Sequence, residues 1–532
     1  MLKAKRFFAP LLCLLLGGWT IAAAAVVGDD TPTPNDGVAP TETPTVDSDA
    51  CPIGNILRDV FIPPEPEVVA RPKKEAWERS VGGTTAARPL LKARLRGWPR
   101  QLLIDKATLP RDDREFLWRL ARDTWHGIES LTDREHELPL DHVRFGVTGV
   151  AVSESNIGDY TSASNVGLYL AALAAASEIG VVPRTAAVER IKALFHTLDQ
   201  LETDRGFFFN YYDTTSLERS SNFISFVDSS WLTAGMIVVR NTFPELAEAA
   251  SRYIDRTNYS FFYDSDRQLM AHGFYVNSGR RAPFHYGVFY TEARLGSLLA
   301  IGKGDAPEAL WFSMARTYPP ACSWQSLMPK NSRVRMVHGF PVRGGYYEWK
   351  GVRFVPSWGG SMFEALMPAL FVDELKYAPD GLGANDKAHV EIQRRYATEE
   401  RGDRVWGASP CSTPLGDGYS EYGVPFLGSR GYRAGAVTAH AAALALLVDP
   451  PAATANLRAL AENYDAYGEL GLYDGVDPSS GVVAHKYLAL DQSMLFLALA
   501  NYLGDHVVQK RFAADPIVQK ALPLLADERF FD

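Results

Sequence analysis

The chain has 532 residues, a formal net charge of −9, 46% hydrophobic and 22% charged residues, proportions ordinary for a globular protein. The acidic surplus excludes a nucleic-acid partner, because no basic excess is at hand to displace the counterions condensed on a phosphate backbone. It leaves neutral polysaccharide open, and 11 Trp, 23 Tyr and 27 Phe supply flat apolar faces that suit sugar rings as well as protein cores.

The N-terminus reads as an export signal: Lys3, Lys5 and Arg6 precede an apolar stretch at 7–21 and small residues at 22–25. The expectation is a signal peptide over 1–25, a periplasmic or extracellular destination, and no stable membrane span once it is cleaved; an uncleaved anchor is the alternative. Residues 26–87 are rich in Thr, Pro and Asp and cannot bury enough apolar surface to offset their ordering entropy, so they read as a largely disordered tether. Residues 88–532 read as one domain. Cleavage leaves Cys51, Cys322 and Cys411. An oxidising compartment permits Cys322 and Cys411 to pair, with Cys51 left over, or both are free and buried.

From 111 onward the periodicity is helical. Residues 111–130 carry apolar side chains at three- and four-residue spacing. Residues 165–180 are apolar nearly all round and predict a buried helix, whereas 182–203 have a polar face. Helices follow over 228–243, 244–256, 291–304, 307–317, 361–375, 386–400, 436–448, 451–464, 491–503 and 515–527. Wholly apolar helices tend to alternate with amphipathic ones, which two concentric rings would explain. Strand signals are few: 344–358 predicts a hairpin turning at Lys350 and Gly351. Long segments rich in Gly, Pro, aromatic and acidic residues, at 206–228, 355–360 and 406–428, predict a cleft at one end of the rings.

No phosphate-binding loop, dinucleotide fingerprint, H-E-x-x-H helix or G-x-S-x-G elbow is present. His272, His285, His338, His440 and His485 show no ligand spacing, so neither a cofactor nor a catalytic metal is expected.

Nine ordered segments carry a family resemblance. They include YTSASNVGLYLAAL, FVDSSWLTAGMIVVR, TEARLGSLLAIGKGDAPEALW, PSWGGSMFEALMP, GYSEYGVPFLG, YGELGLYDGVD and YLALDQSMLFLALANYL. From about residue 160 to its end the chain resembles the glucoamylase-like domain of bacterial endo-β-1,2-glucanases and cyclic β-1,2-glucan synthases. The resemblance implies an all-α (α/α)6 toroid with a few short strands, and hydrolysis of a β-glucan, best β-1,2-linked, with inversion. One departure is local. Synthase-type domains carry Ser-Glu-Ser where Trp406 and Gly407 are here followed by Ala408, Ser409, Pro410 and Cys411. Hydrolysis of another envelope glycan, and non-catalytic glycan binding, are the competing readings.

Glycoside hydrolysis needs a protonated carboxyl for the leaving oxygen and a second carboxylate to activate water or attack the sugar. Glu292, after Tyr286, Phe289 and Tyr290 and ahead of an apolar helix, is the candidate acid; the alternative is a Glu paired with Arg294. Asp228 and Asp491 also begin apolar helices and are candidates for the base, or simple helix caps. Glu364 lies beside Trp358 and two glycines and joins the substrate-binding candidates, with an Arg-paired Glu as its alternative. Trp358, Trp406, Tyr290, Tyr419 and Tyr422 are candidate platforms for sugar rings. Asn210, Tyr212, Asp213 and Gln492 are candidates for binding hydroxyls. The partner expected is an oligo- or polysaccharide.

Overall fold

The computed structural model describes residues 94–96, 109–145 and 157–531, apart from 417 and 469. The expected signal segment and the whole of the expected tether, with both their boundaries, lie outside the described residues. Those described fall in a single unit, Asp49–Asp532. They are mostly helical, with short antiparallel ribbons of two or three strands.

In chain order, the elements that position the site begin with α1 (Asp113–Ser130), β1 (Tyr160–Ser162), α2 (Ala163–Glu178), α3 (Arg184–Leu198), β2 (Tyr211–Asp213) and β3 (Phe223–Ser225). Next come α4 (Phe226–Thr242), α5 (Ala247–Arg256), β4 (Gly273–Tyr275), α6 (Ala293–Lys303), β5 (Tyr347–Trp349) and β6 (Val352–Phe354). The C-terminal part contains α7 (Met362–Leu366), α8 (Leu382–Arg395), β7 (Cys411–Ser412), β8 (Tyr419–Ser420), β9 (Val437–Thr438), α9 (Ala439–Leu444), α10 (Pro450–Asn463), β10 (Gly475–Val476), α11 (Ala489–Leu503), α12 (Val507–Ala513) and α13 (Pro516–Ala521).

Sequence and burial agree on two helix types. In α2 every residue from Ala163 to Ala176 is buried, and α4, α6, α9 and α11 are almost as enclosed. A helix with no polar face can only be satisfied by neighbours on all sides. Accordingly α2 packs on α4, α4 on α6, α7 on α9, α9 on α11, and α11 on α2. Each also packs against a more polar helix: α2 against α3, α4 against α5, α6 against α13, α7 against α8, α9 against α10 and α11 against α1. Contact between α2 and α4 is close because both carry glycine at the crossing. A Cβ on Gly235 would stand 2.0 Å from the Gly167 carbonyl oxygen.

The hairpin at Lys350 and Gly351 forms as expected, joining β5 to β6. Two predicted helices are shorter than their apolar runs. The stretch 361–375 breaks into α7, a 3₁₀ turn at Pro368–Leu370 and a short helix at Glu374–Tyr377; α13 ends before Pro523, which opens a separate turn of helix. Proline lacks the N–H that would continue the ladder and clashes with the preceding turn. Strands are more numerous than expected, and several run straight into the N-terminus of a buried helix: β1 into α2, β3 into α4 and β9 into α9. Neither reading of Cys322 and Cys411, as a pair or as two free thiols, holds. Cys322 is disulfide-bonded, while Cys411 is a free, buried thiol. Among the described residues no helix is long and apolar enough to cross a membrane.

Candidate active site

The polar residues of interest sit in the first turn of the buried helices. In α4 the Ser225 hydroxyl caps the helix by accepting the Asp228 N–H. In α7 Ser361 and Glu364 form a reciprocal capping box. In α2 Ser162 caps onto Asn165, and in α9 Thr438 caps onto Ala441. A strand ending in Ser or Thr turns into a helix at that residue, because its side-chain oxygen satisfies an otherwise orphaned N–H. The third helical residue is then held at the helix mouth, where the positive end of the helix dipole favours an anion. Asp228 and Asp491 are therefore third-position residues and not the caps themselves. Glu292 immediately precedes α6 and makes no side-chain cap bond.

Glu292, Asp228 and Glu364 come together. Glu292 is half-buried, and its Oε2 is enclosed without a hydrogen-bond partner. Burial, then the negative charge of Glu364, push its carboxyl up to about 7; Arg294 opposes the shift and Asp228 adds to it. Asp228 is half-buried and accepts a hydrogen bond from Ser164 Oγ at 2.5 Å. Burial raises its carboxyl, while the Ser164 and Ser225 hydroxyls pull it back. Glu364 is fully engaged: Ser357 Oγ, the Gly359 N–H, the Ser361 N–H and Ser361 Oγ all donate to it at 2.7–3.1 Å. Its partners are thus backbone and serine groups, not an arginine. Tyr286 and Tyr432 flank the acids: burial raises both phenols, and Glu292 and Asp228 add to the shift of the first, Glu364 and Glu292 to that of the second. The Tyr432 ring lies over Gly359, where a Cβ would stand 2.0 Å from it.

Arg294 does not pair with Glu292. It is 2% exposed and donates to both oxygens of Glu374, at 2.8 and 2.7 Å, and to the carbonyls of Glu364 and Ala365. One buried guanidinium therefore bolts the first turn of α6 to α7. Behind it Tyr290 is wholly buried, donates its hydroxyl to Asp386 and stacks under Arg294.

Asp491 lies elsewhere, buried at 2% beside Asp474, with His440 Nδ1 3.5 Å from its Oδ2. Burial and the Asp474 charge raise its carboxyl well above the usual range. Gln492 is buried and donates to the Leu472 carbonyl at 3.1 Å.

The remaining candidates divide. Trp358 is half-buried with its ring 6.4 Å from Trp324, and Tyr419 is half-buried on β8. Asn210 is half-buried with an unpartnered carbonyl oxygen. These three keep accessible surface. Trp406 belongs to the core, its backbone held from both sides by Asn456 at 3.0 and 2.7 Å. Tyr212 is buried, donating to the Glu202 carbonyl and accepting from the Phe209 N–H. Tyr290 and Tyr422 are buried as well, Tyr422 beneath Arg433. Asp213 caps a turn through the N–H groups of Thr215 and Ser216. Trp406, Tyr290, Tyr422 and Tyr212 therefore offer no free ring face to a sugar; apolar rings beside a cleft were drawn into the core. Sequence reading missed Tyr286, Tyr432, Asp474 and Asp386. The Ser-x-x-acid spacing at Ser225 and Ser361 was the available signal for the helix mouths.

Comparison with known proteins bears on the fold. Residues 341–516 match the Glycoamylase family model, described as "Putative glucoamylase". A segment of 298 residues is 30% identical to the cyclic β-(1,2)-glucan synthase NdvB of Rhizobium meliloti, covering 53% of this chain and 9% of that protein. Among solved structures, an endo-β-1,2-glucanase from Chitinophaga pinensis in complex with sophorotriose and glucose superposes with a TM-score of 0.62 at 15% identity, over 78% of this chain and 99% of that one. A β-1,2-glucanase from Parabacteroides distasonis gives 0.63 at 16% identity, over 78% and 60%. At those identities the likeness is one of fold. Over 341–516 the chain thus resembles the glucoamylase-like family, and it shares its fold with solved β-1,2-glucanases.

Proposed function

We propose that this protein is a glycoside hydrolase cleaving a β-glucan, best a β-1,2-linked glucan, with Glu292 as general acid and Asp228 as general base. The observation that carries it is the Glu292 carboxyl. Its Oε2 is enclosed without a hydrogen-bond partner and the carboxyl is raised to about 7 beside two other acids, so it holds a proton where a leaving oxygen needs one. Asp228 accepts from Ser164, a contact that favours its ionised form. Burial raises both carboxyls, but only Asp228 has serine hydroxyls that pull it back, and that difference assigns the acid to Glu292 and the base to Asp228. Asp491, buried against a further carboxylate, is the weaker candidate for the base. Inversion follows the resemblance to the glucanases, one of which is solved in complex with sophorotriose and glucose. Trp358, Tyr419 and Asn210, with the carboxylate of Glu364 shaping the loop at 357–361, are the sugar-contacting groups in this reading.

The architecture we infer is an (α/α)6 toroid. It is supported by helix contacts that run α2 to α4 to α6, and α7 to α9 to α11 and back to α2, with the hydrogen bonds of Arg294 joining α6 to α7. The domain plan we infer is a cleaved signal over 1–25, a tether over 26–87 and this domain over 88–532, in an exported protein. The basic, apolar and small-residue succession at the N-terminus supports export.

Purified protein incubated with linear β-1,2-glucan and a panel of other glucans tests the reading. New reducing ends from the β-1,2 polymer, abolished in Glu292→Gln with its helical spectrum intact, are expected. Activity confined to another glucan moves the substrate and keeps the mechanism. Binding without cleavage of any polymer makes the protein a glycan-binding module and ends the enzymatic reading. Early-time NMR of the product anomer decides inversion.

A further inference from the structure

Away from Glu292, three ligand-type atoms converge from distant parts of the chain: His440 Nδ1, Asp474 Oδ1 and Asp491 Oδ2. All lie within 4.8 Å of one another. The residues are 2%, 1% and 2% exposed, and none of the three atoms has a hydrogen-bond partner. We propose that His440, Asp474 and Asp491 bind a divalent transition-metal cation, for which Zn²⁺ is the probe.

Buried polar atoms are almost always satisfied, so three orphans facing one point call for an occupant. Nδ1 stands 3.5 Å from Asp491 Oδ2 and 4.0 Å from Asp474 Oδ1. Ligands at about 2.0–2.2 Å from a tetrahedral zinc lie roughly 3.3–3.6 Å apart, so small side-chain movements close the shell. Two carboxylates bring two negative charges into a site whose third ligand is an imidazole, and a dication neutralises both. One imidazole with two carboxylates suits zinc or its first-row neighbours; calcium prefers oxygen alone.

The supporting contacts also fit. Asp474 Oδ2, turned from the cluster, accepts the Ser412 N–H at 2.6 Å. With Nδ1 on the metal, His440 Nε2–H is left to donate to Thr438 Oγ1, 3.4 Å away, the outer contact that orients a metal-bound imidazole. Two further buried acceptors without partners, Ser412 Oγ and Gln492 Oε1, belong to residues adjoining the ligands. The Cys411 thiol packs against Gly475, next to Asp474, outside the ligand set. Sequence reading expected no metal because His440 has no ligand neighbour at helical spacing; β10 and the start of α11 supply them through the fold.

The occupant that competes is a proton shared between Asp474 and Asp491. Chelator-treated wild-type protein is titrated with Zn²⁺, and then with Mn²⁺, by calorimetry and by thermal melting. About one equivalent bound, with a rise in melting temperature, is expected. Asp474→Asn and His440→Gln should each weaken binding roughly 10–100-fold, while His338→Gln, at an exposed site, leaves it unchanged. No binding and no shift in wild-type protein overturns the proposal in favour of the shared proton. Binding that survives both cluster substitutions overturns it equally, by placing the metal elsewhere.

Discussion

Glu292 gathers the consequences of the site in one side chain. Its carboxyl is raised to about 7 from an unfolded value near 4.5, so the native state binds the extra proton between those limits. Native stability is then fully present below about pH 4.5 and falls as pH rises through about 7. Glu292→Gln keeps the shape without the titration. It should melt close to wild type at pH 4.5 and higher at pH 8, by about 2 kcal/mol after allowance for partial exposure. Equal differences at both pH values would show that the carboxyl is not raised. Catalysis follows the same titration: as general acid, Glu292 must be protonated, so kcat/KM should fall as pH rises through about 7. Arg294 is the other decisive residue. Its pair with Glu374 is buried on both sides, and removing one partner strands a charge. Glu374→Gln should cost about 3–5 kcal/mol in denaturant unfolding, and loss under 1 kcal/mol would mean the pair is exposed in solution. Glu292, Asp228 and Glu364 were legible as carboxylates opening apolar helices. Trp406, Tyr290 and Tyr422 were not separable from true platforms, since a ring wanted by a sugar and a ring wanted by a core have the same composition.

At the scale of elements, the apolar helices could be read from sequence because burial on every side leaves no polar stripe, as in α2 and α11. Their lengths were overread at Pro368 and Pro523, where apolar composition continues while the backbone cannot. The short strands were hardly legible, two or three residues being too few for an alternating pattern. What their ends encode is the cap. Ser361 donates to Glu364 and accepts from its N–H, so Ser361→Ala removes a cap and one of the four donors to a buried carboxylate. The expected loss is about 1–2 kcal/mol, with a larger fall in activity than Ser225→Ala gives in stability terms, because the Glu364 charge acts on Glu292. The crossing of α2 and α4 is stricter. Gly235→Ala drives a methyl into the Gly167 carbonyl, and melting should fall by the equivalent of about 1–3 kcal/mol. An unchanged melt would mean the two helices can separate without penalty.

Across the described residues, the decisive contact joins a late helix to an early one. Helix α11 packs on α1, α2 and α9, and Phe496 within it is wholly buried, its ring 5.3 Å from Trp125 of α1. The chain between α1 and α11 cannot close its run of apolar helices until the last is in place, because α2 and α9 each expose a face that α11 covers. Stability should therefore be shared, with no early or late portion folded alone. Phe496→Ala removes a large core ring and should cost about 3–5 kcal/mol. The discriminating measurement is the form of the transition. Far-ultraviolet circular dichroism and tryptophan fluorescence of the variant should fall together at one lowered midpoint, as a single cooperative unit requires. Midpoints that separate, with helices near α4 and α6 surviving the loss of α11, would show that the closing contact is an accessory to the fold and not its condition.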